Sequence, residues 1–390
     1  MKSRYISKRY WEDKSTAMGQ SDEMAKSFDD VINLSLGDPD LITDSRIIEA
    51  AFADARAGHT KYTDFRGDPQ LREEIAKFYQ EEYDMAINDK EIFVSTSACE
   101  GMYLALEAIL DDGDEVILQA PYFTPYEQQV ELARGIPVEL PTYEEEDFQI
   151  HTGRLEQLIT EKTKALVINS PSNPTGNCLT VETMMRIAEI AEKHDLLVIA
   201  DDIYTAFSYQ HPFIPFASLP GMRKRTITLN SFSKNFTMTG WRIGNIIAPP
   251  EIIGVIQQIN ENVVFTAPSV SQRAAIYALK HRKEVQPAMI EEYRMRMYYA
   301  AERINWIPGL HVLYPPKGSF YLFVNIRETG MSSEEAAALF LEKAHVLVLP
   351  GNAFGRCGEG YVRIACTVGI EKLGEAFDRI AEALTRKENA

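Results

Sequence analysis

Residues 164–204 read KALVINSPSNPTGNCLTVETMMRIAEIAEKHDLLVIADDIY and contain a strand, a helix and a second strand in that order. The apolar runs at residues 165–168 and 196–200 are short and rich in β-branched side chains, which is typical of buried strands. Residues 181–193, between them, carry a helical signal. Two strands joined by a helix run parallel in one sheet, so this stretch indicates an α/β fold.

The same alternation continues along the chain. Further strands are predicted at residues 91–95, 115–119, 225–230 and 243–248, and helices at residues 100–110, 124–133, 251–263 and 270–280. A long helix is predicted from about residue 284 to 305, then strands at 320–324 and 361–366 and helices at 334–343 and 371–384. This order predicts an α/β fold with a mostly parallel sheet between helices, followed by a smaller α+β unit.

Both strands of the opening stretch lead into residues that could contact a ligand. Asn173 lies in an Asn-Pro-Thr-Gly sequence after the first strand, and Asp201 follows the second strand, three residues before Tyr204. Open α/β sheets gather ligand contacts at the carboxyl ends of their strands. An ordinary Asn-Pro turn and a helix-capping aspartate are the structural alternatives, and Asp202 is a competing carboxylate.

A lysine and an arginine lie eight residues apart in SFSKNFTMTGWR, residues 231–242. The Lys234 amine can form an imine with an aldehyde, and the Arg242 guanidinium is a planar, permanently charged donor for phosphate oxygens. Ser231 and Ser233 add neutral donors. These groups could hold a phosphorylated aldehyde covalently, although a Ser-x-x-Lys sequence alone is more often a solvated surface lysine.

Arg363 lies in the apolar sequence GYVRIA, residues 360–365. An arginine is costly to bury without a partner, so Arg363 either binds an anion or extends its charged end into solvent from an edge strand. The four motifs, in this order, resemble those of the pyridoxal-phosphate-dependent aminotransferases of classes I and II, in the aspartate aminotransferase superfamily. The resemblance covers nearly all of the chain and implies fold type I, with a seven-stranded-type sheet and pyridoxal 5'-phosphate as cofactor.

The resemblance also assigns catalytic roles. Lys234 would bind the cofactor covalently and then act as the general base on the substrate Cα, while Asp201 would face the pyridine nitrogen and keep it protonated. Asn173 and Tyr204 would donate to the ring oxygen of the cofactor. Asp202 is the weaker candidate for the acid, because the family pattern has the tyrosine three residues after the functional carboxylate.

Further positions follow from the same resemblance. Arg363, Gly37 and Asn173 would contact the substrate, with Arg363 gripping its α-carboxylate. Phe123 would stack on the pyridine ring, with Tyr122 as the nearest competitor. Tyr62 would reach across a dimer interface to the cofactor phosphate of the neighbouring subunit, which implies a homodimer with shared active sites.

The phosphate site is expected at two segments. One contains Ser231, Ser233 and Arg242. The other is the turn Ser97, Ala98 and Cys99, which follows a predicted strand and opens a helix whose free N–H groups could bind an anion. The family usually has a glycine-rich turn here, and Ser97 lacks the freedom of glycine at positive φ.

Two domains are expected, because 390 residues exceed one ordinary hydrophobic core. By resemblance, residues 46–283 form the large cofactor-binding α/β domain. Residues 1–45 and 284–390, from both chain ends, form the smaller α+β domain.

The composition, with 45% hydrophobic and 25% charged residues, is that of a globular protein. The net charge of −17 argues against nucleic acids and anionic membranes as partners. No Cys-x-x-Cys spacing indicates a metal site, and the four cysteines read as reduced thiols of a cytoplasmic protein. The basic residues at positions 1–9 are not followed by the apolar segment of a signal peptide, and no apolar run is long enough to span a bilayer.

The predicted activity is transamination between an L-amino acid and a 2-oxo acid by a ping-pong mechanism. Neutral or aromatic donors are expected to be better than aspartate. Residues 261–264 contain no arginine for a distal carboxylate, and Cys99 stands where another subgroup has a lysine. A C–S β-lyase of the same fold, acting by β-elimination on cystathionine-like thioethers, is the main alternative. A non-catalytic cofactor-binding sensor is a more distant one.

Overall fold

The computed structural model describes residues 4–11, 19, 23, 25–26 and 28–388. In chain order, the strands of these residues are β1 (Ile32–Asn33), β2 (Ile92–Ser95), β3 (Glu115–Ala120), β4 (Ile136–Pro141), β5 (Thr163–Asn169), β6 (Leu197–Asp201), β7 (Thr226–Ser231), β8 (Gly244–Ile247), β9 (Tyr321–Asn325), β10 (Val346–Leu347), β11 (Leu349–Pro350) and β12 (Tyr361–Ala365).

The helices of the described residues are α1 (Ser45–Arg56), α2 (Pro69–Tyr83), α3 (Ser97–Ile109), α4 (Pro125–Leu132), α5 (Thr152–Leu158), α6 (Val181–Lys193), α7 (Phe232–Asn235), α8 (Pro250–Asn260), α9 (Ser269–Lys280), α10 (Arg282–Val285), α11 (Pro287–Asn305), α12 (Ser333–Ala344) and α13 (Ile370–Glu388). None of these helices combines the length and the apolar character needed to cross a lipid bilayer.

The central sheet has seven strands in the order β2-β8-β7-β6-β5-β3-β4. The strands from β4 to β7 are parallel, whereas β8 runs antiparallel to both of its neighbours. The prediction of an α/β fold with a mostly parallel sheet between helices is therefore confirmed. Because β5, β6 and β7 are parallel, their carboxyl ends meet at one edge of the sheet, where Asn169, Asp201 and the lysine segment lie together.

Local sequence explains where the elements on either side of that edge begin. The β6 side chains Val198, Ile199 and Ala200 are fully buried, as expected for a strand covered on both faces. Helix α6 begins after Thr180, whose side chain accepts a hydrogen bond from the backbone N–H of Thr183. Its apolar face then packs beneath the sheet, so the loop with Asn173 is held between two rigid elements.

Several elements of the structure differ from the predicted secondary structure. Strand β4 was missed, because Pro137 and Pro141 weaken the strand signal, yet proline is tolerated on an edge strand. Helix α1 was also missed. The long helix predicted from residue 284 is in fact two helices, since Pro287 has no N–H to donate and begins α11 at its first position.

The C-terminal elements build a second, antiparallel sheet in the order β11-β12-β9. Strand β1 pairs in parallel with β10, and the backbone N–H of Ala365 donates to the carbonyl of Leu34 at 2.8 Å. The chain near residue 34 thus lies beside the strand that carries Arg363. The domain boundaries at residues 45 and 283 stay a prediction, and residues 1–3, 12–18, 20–22, 24, 27 and 389–390 lie outside the described part.

Candidate active site

A cavity of about 440 Å³ lies at the carboxyl ends of β5, β6 and β7. Eight residues selected from the sequence line it: Gly37, Phe123, Asn173, Asp201, Tyr204, Lys234, Arg242 and Arg363. They come from segments that are up to 326 positions apart, from Gly37 to Arg363. Such a meeting of titratable and polar groups in one concave site is typical of an active site.

Asp201 is buried in the wall of this cavity. The side chain of Asn169, at the end of β5, donates to the backbone oxygen of Asp201 at 2.8 Å and accepts from the backbone N–H of Asn173 at 2.7 Å. One carboxylate oxygen, Oδ2, accepts from the hydroxyl of Tyr126, whereas Oδ1 is buried without a hydrogen-bond partner. Asp202 does not line the cavity, as expected when successive residues of a strand face opposite sides.

Lys234 follows β7 and is half-buried in the short helix α7. Its amine donates to the backbone oxygen of Gly37 and lies 5.8 Å from the ring centre of Phe320. The pKa of Lys234 is lowered from 10.5 to about 8: burial is the largest cause, Arg363 and Arg242 act in the same direction, and Asp38 opposes them. The amine is therefore far closer to its nucleophilic neutral form than an exposed lysine would be.

Arg363 is 1% exposed. Its guanidinium donates to Asn173 Oδ1 at 3.0 Å and to the backbone oxygen of Ser35. It also lies 4.5 Å from the ring centre of Tyr321. No carboxylate of the described residues forms a salt bridge with it within 4.0 Å, and its Nε has no hydrogen-bond partner, so Arg363 retains capacity for an anion.

Tyr321 is a residue of the cavity that the sequence analysis missed. Its hydroxyl accepts a hydrogen bond from Tyr204 at 3.3 Å. An ideal Cβ on Gly37 would lie 1.7 Å from the same hydroxyl, so only glycine fits at that position. The register of β9 against β12 could have indicated Tyr321, since it pairs with Ala365, two residues beyond Arg363.

Tyr126 was also missed, although it follows Phe123 by three residues. The ring of Phe123 lines the cavity and meets the ring of Tyr126 edge to face, with centroids 5.7 Å apart. Tyr122, the competing aromatic, does not line the cavity and donates to Glu127 at 3.2 Å.

The turn at Ser97, Ala98 and Cys99 forms the first turn of α3, beside but outside the cavity lining. Ser97 has φ of 79°, so it adopts the positive φ that glycine takes most easily. Burial raises the pKa of Glu100 in the same turn, and the Arg242 guanidinium partly opposes that rise. Arg242 thus acts on the helix N-terminus, which has free N–H groups for an anion.

Ser231 and Ser233 are buried, and the Ser231 hydroxyl donates a hydrogen bond to the Ser233 hydroxyl at 2.9 Å. Ser231 also accepts from the backbone N–H of Ser233 at 3.1 Å and so caps α7. Neither serine lines the cavity. Their geometry holds the segment that carries Lys234, and their contact with a phosphate stays a prediction.

Tyr62 lies outside the cavity and is 80% exposed. Its ring meets Phe265 edge to face at 4.8 Å, and Phe65 meets the other side of Phe265 at 5.0 Å. Val263 and Val264 are exposed next to them. These five residues form an exposed apolar cluster, a feature that usually marks contact with another molecule.

The comparisons with known proteins agree with this geometry. The family model described as aminotransferase class I and II matches residues 29–380. The chain belongs to this family. An aspartate aminotransferase of Pyrococcus horikoshii is 40% identical over 368 residues, covering 93% of each chain. An aromatic-amino-acid aminotransferase 2 of Thermococcus litoralis is 38% identical over 369 residues, covering 94% of each.

Among solved structures, the aromatic aminotransferase from Pyrococcus horikoshii matches this aminotransferase with a TM-score of 0.89 and 40% identity, over 96% of this chain and 100% of the other. The named relatives are aminotransferases, so the lyase alternative is not favoured. Some of these relatives are named for aspartate and others for aromatic amino acids, so the names do not identify the amino donor of this aminotransferase.

Class I and II aminotransferases use pyridoxal 5'-phosphate, and the cavity of this aminotransferase fits that group. The unpartnered Oδ1 of Asp201 suits a ring N–H, and the Lys234 amine suits an aldehyde. Arg242 and the first turn of α3 suit a phosphate. Within the described residues, no group of three or more His, Cys, Asp or Glu side chains is arranged to hold a metal ion.

Proposed function

We propose that this aminotransferase moves the amino group of an L-amino acid to a 2-oxo acid by a ping-pong mechanism, using pyridoxal 5'-phosphate held by Lys234. The observation that carries the proposal is the meeting of three groups in one cavity: the low-pKa amine of Lys234, the carboxylate of Asp201 and the buried guanidinium of Arg363. Neutral or aromatic donors are favoured over aspartate.

Bound pyridoxal 5'-phosphate would supply an electron sink for negative charge that develops at the substrate Cα. Asp201 Oδ1 would hold the ring nitrogen in its protonated form, which makes that sink effective. Asn173 and Tyr204 would donate to the ring oxygen, and Tyr204 suits this role because burial raises the pKa of its hydroxyl and keeps its proton in place.

Lys234 would carry the proton between two carbons. As a neutral amine it would accept the Cα proton of the substrate. As an ammonium it would then return a proton to the other carbon attached to the nitrogen that is being transferred. Its pKa of about 8 makes both forms accessible near neutral pH. Arg363 would fix the α-carboxylate with two parallel hydrogen bonds and so orient the Cα–H bond toward Lys234.

The donor preference is supported by a negative charge at the mouth of the cavity. Asp38 lines the cavity and accepts from the Thr239 hydroxyl at 2.6 Å. Within the described residues, no lysine, arginine or histidine lies within 4.0 Å of the Asp38 carboxylate in a salt bridge. A donor with a second carboxylate would enter against this charge, whereas a neutral or aromatic side chain would not.

A half-reaction screen tests the preference. The holoenzyme is mixed with aspartate, leucine or phenylalanine, and the loss of the cofactor absorbance is followed in one turnover. Leucine or phenylalanine is expected to react faster than aspartate. In Asp38→Asn, the ratio of aspartate to leucine reactivity is expected to rise about threefold to tenfold. A faster reaction of aspartate in the unsubstituted enzyme would refute the preference.

Asp112→Asn is the matched control for the Asp38 variant. The Asp112 carboxylate is exposed near the start of β3, at the opposite edge of the sheet from the cavity. It changes the net charge by the same amount, so it separates a local effect from a general one. An equal change in both variants would remove Asp38 from the argument.

Initial-rate kinetics test the ping-pong order, for which parallel double-reciprocal lines are expected. Product analysis with a cysteine thioether separates transamination from β-elimination, because only the latter releases pyruvate, ammonia and a thiol.

Borohydride reduction followed by peptide mapping is expected to find the pyridoxyl group on Lys234. The cytoplasmic location expected from the sequence stays a prediction for cell fractionation.

The proposal includes a homodimer in which Tyr62 contacts the cofactor phosphate of the partner. It is supported by the exposed apolar cluster of Tyr62, Phe65, Val263, Val264 and Phe265. Mixing Tyr62→Phe with Lys234→Ala subunits tests it, because a hybrid dimer has one site with both substitutions and one with neither. The mixture is expected to regain activity, and a lack of complementation in verified hybrids would contradict shared sites.

A further inference from the structure

Tyr126 is a fully packed cavity residue without a role in the proposed mechanism. It is the second residue of α4, is 3% exposed, and lines the same cavity as Lys234. Its hydroxyl donates to Asp201 Oδ2. Most side-chain hydrogen bonds in proteins go to the backbone or to water, but the Tyr126 hydroxyl is hydrogen-bonded to the carboxylate proposed to face the cofactor ring.

The two oxygens of Asp201 are therefore different. Oδ2 is bound by Tyr126, whereas Oδ1 is buried and has no hydrogen-bond partner. The backbone is also fixed, because Asn169 donates to the backbone oxygen of Asp201. With the backbone and Oδ2 both held, the carboxylate cannot rotate freely, and Oδ1 is the oxygen available to a cation.

The ionisation of Asp201 depends on the same hydrogen bond. The pKa of Asp201 is raised from 3.8 to about 6: burial is the cause of the rise, and hydrogen bonds from the Tyr126 hydroxyl and the backbone N–H of Ile203 limit it. The other titratable groups that interact with Asp201 are Cys99, Asp202 and Tyr204, and Lys234, Arg242 and Arg363 line the same cavity. Loss of the hydroxyl would raise the pKa of Asp201 toward neutral pH, where the neutral acid would attract a cation only weakly.

We propose that Tyr126 is a positioning residue that keeps Asp201 ionised and turned so that Oδ1 meets the protonated ring nitrogen of the bound cofactor. This inference rests on the proposed role of Asp201. It assigns Tyr126 a selective function: its hydroxyl strengthens the binding of a ring that carries a nitrogen at this position and does nothing for a ring that lacks it.

A pair of ligands tests this selectivity without an activity measurement. The apoenzyme is titrated with pyridoxal 5'-phosphate and with its 1-deaza analogue, in which carbon replaces the ring nitrogen. In Tyr126→Phe, the Kd for pyridoxal 5'-phosphate is expected to rise about fivefold to tenfold, as for loss of a hydrogen bond to a charged group. The Kd for the deaza analogue is expected to stay unchanged.

Tyr122→Phe is the matched control. It removes a hydroxyl from the same segment, but one that donates to Glu127 rather than to Asp201. Infrared difference spectra of the apoenzyme give a second readout, since Tyr126→Phe is expected to show more protonated carboxyl at pH 7 than Tyr122→Phe. If the phenylalanine variant does not fold, 3,5-difluorotyrosine at position 126 is expected to lower the Kd for pyridoxal 5'-phosphate alone, because its hydroxyl is a stronger donor.

The outcomes separate the two proposals. If the unsubstituted enzyme binds pyridoxal 5'-phosphate and the deaza analogue equally well, the assignment of Asp201 fails, and the role of Tyr126 fails with it. If the unsubstituted enzyme discriminates and Tyr126→Phe discriminates equally, only the role of Tyr126 is overturned. Equal weakening of both ligands in Tyr126→Phe would indicate a merely structural tyrosine and would also overturn it.

Discussion

The two ends of the cavity hold their arginines in opposite ways. At the proposed carboxylate end, defined here by Arg363, Asn173 and Gly37, the arginine is 1% exposed and lies in a strand. At the proposed phosphate end, defined by Arg242 and the turn at residues 97–99, the arginine is exposed in a loop, has φ of 52°, and donates to the backbone oxygen of Thr239 at 2.9 Å.

This difference separates a prepared site from an adaptable one. Arg363 is fixed by Asn173, by Ser35 and by two aromatic rings before any substrate arrives. The Arg363 side chain is already ordered in the folded protein, so binding an anion there loses less conformational entropy. Arg242 keeps more freedom and would be ordered by its ligand. The carboxylate end should therefore govern turnover, and the phosphate end should govern retention of the cofactor.

Substitution of the buried Arg363 is expected to have the largest effect of the variants that compare the two ends. In Arg363→Gln, kcat/KM for amino acid donors is expected to fall about a thousandfold, because a buried charged hydrogen bond to the substrate is lost. The Kd for pyridoxal 5'-phosphate is expected to change far less than kcat/KM, since Arg363 reaches the proposed cofactor contacts only through its hydrogen bond to Asn173. Single-turnover kinetics and apoenzyme titration measure the two quantities.

Arg327→Gln is the control for that variant. Arg327 lies just beyond β9 and is 44% exposed, where it pairs with Glu145. It is expected to leave kcat/KM unchanged. Equal loss of cofactor and substrate binding in Arg363→Gln would mean that the two ends are not independent.

Lys234 lines the same cavity, and the arginines of both ends lower its pKa. Its substitution measures how much the burial of this amine destabilises the fold. In the apoenzyme, Lys234→Met is expected to raise the free energy of unfolding by about 3 kcal/mol at pH 7. The reason is the pKa of about 8 in the folded state against 10.5 for an unperturbed lysine. Between pH 8 and 10.5 the unfolded chain keeps a proton on Lys234 that the folded chain has largely lost. The free energy of unfolding of the unsubstituted protein therefore rises with pH over this range, and the stability gained by Lys234→Met becomes smaller.

Denaturant unfolding of the apoenzyme at pH 7, 8, 9 and 10 measures this effect. Lys224→Met, at an exposed position, is the control and is expected to show no such pH dependence. A stability gain from Lys234→Met that stayed constant from pH 7 to 10 would mean that improved packing, and not the amine, is responsible.

The exposed arginine should have the smaller and more selective effect. Arg242→Gln is expected to raise the Kd for pyridoxal 5'-phosphate about tenfold, because one charged hydrogen bond to the phosphate is lost. Once the enzyme is saturated with cofactor, kcat/KM for the donor is expected to stay within about twofold of the unsubstituted value. A collapse of turnover in the saturated enzyme would contradict the division between the two ends.

Ser97 tests the backbone of the phosphate end. Ser97→Gly is expected to stabilise the protein by about 0.5–1 kcal/mol, because glycine adopts the observed positive φ without strain. Ser269→Gly, at the first position of α9 and not among the residues with positive φ, is expected to destabilise by about the same amount. Thermal or denaturant unfolding distinguishes the two signs.

The sequence was sufficient for the parts of the site that local patterns encode. The alternation of side chains along β6 explains why Asp201, and not Asp202, lines the cavity. Such local patterns do not predict which side chains of distant segments contact each other. Tyr126 and Asp201 are 75 positions apart, and their hydrogen bond depends on how α4 packs against the sheet. In the fold, β4 was hidden because proline weakens the strand signal even where an edge strand tolerates it.

The close approach of Gly37 to Tyr321 makes the residue tolerated at one position depend on the residue at the other. A methyl group on Gly37 would meet the hydroxyl of Tyr321 at 1.7 Å and its ring carbon Cζ at 2.7 Å. Exchange of tyrosine for phenylalanine would therefore not create enough room. An ancestor could acquire alanine at position 37 only after position 321 had already become smaller than an aromatic residue, so the order of substitution along a lineage is constrained.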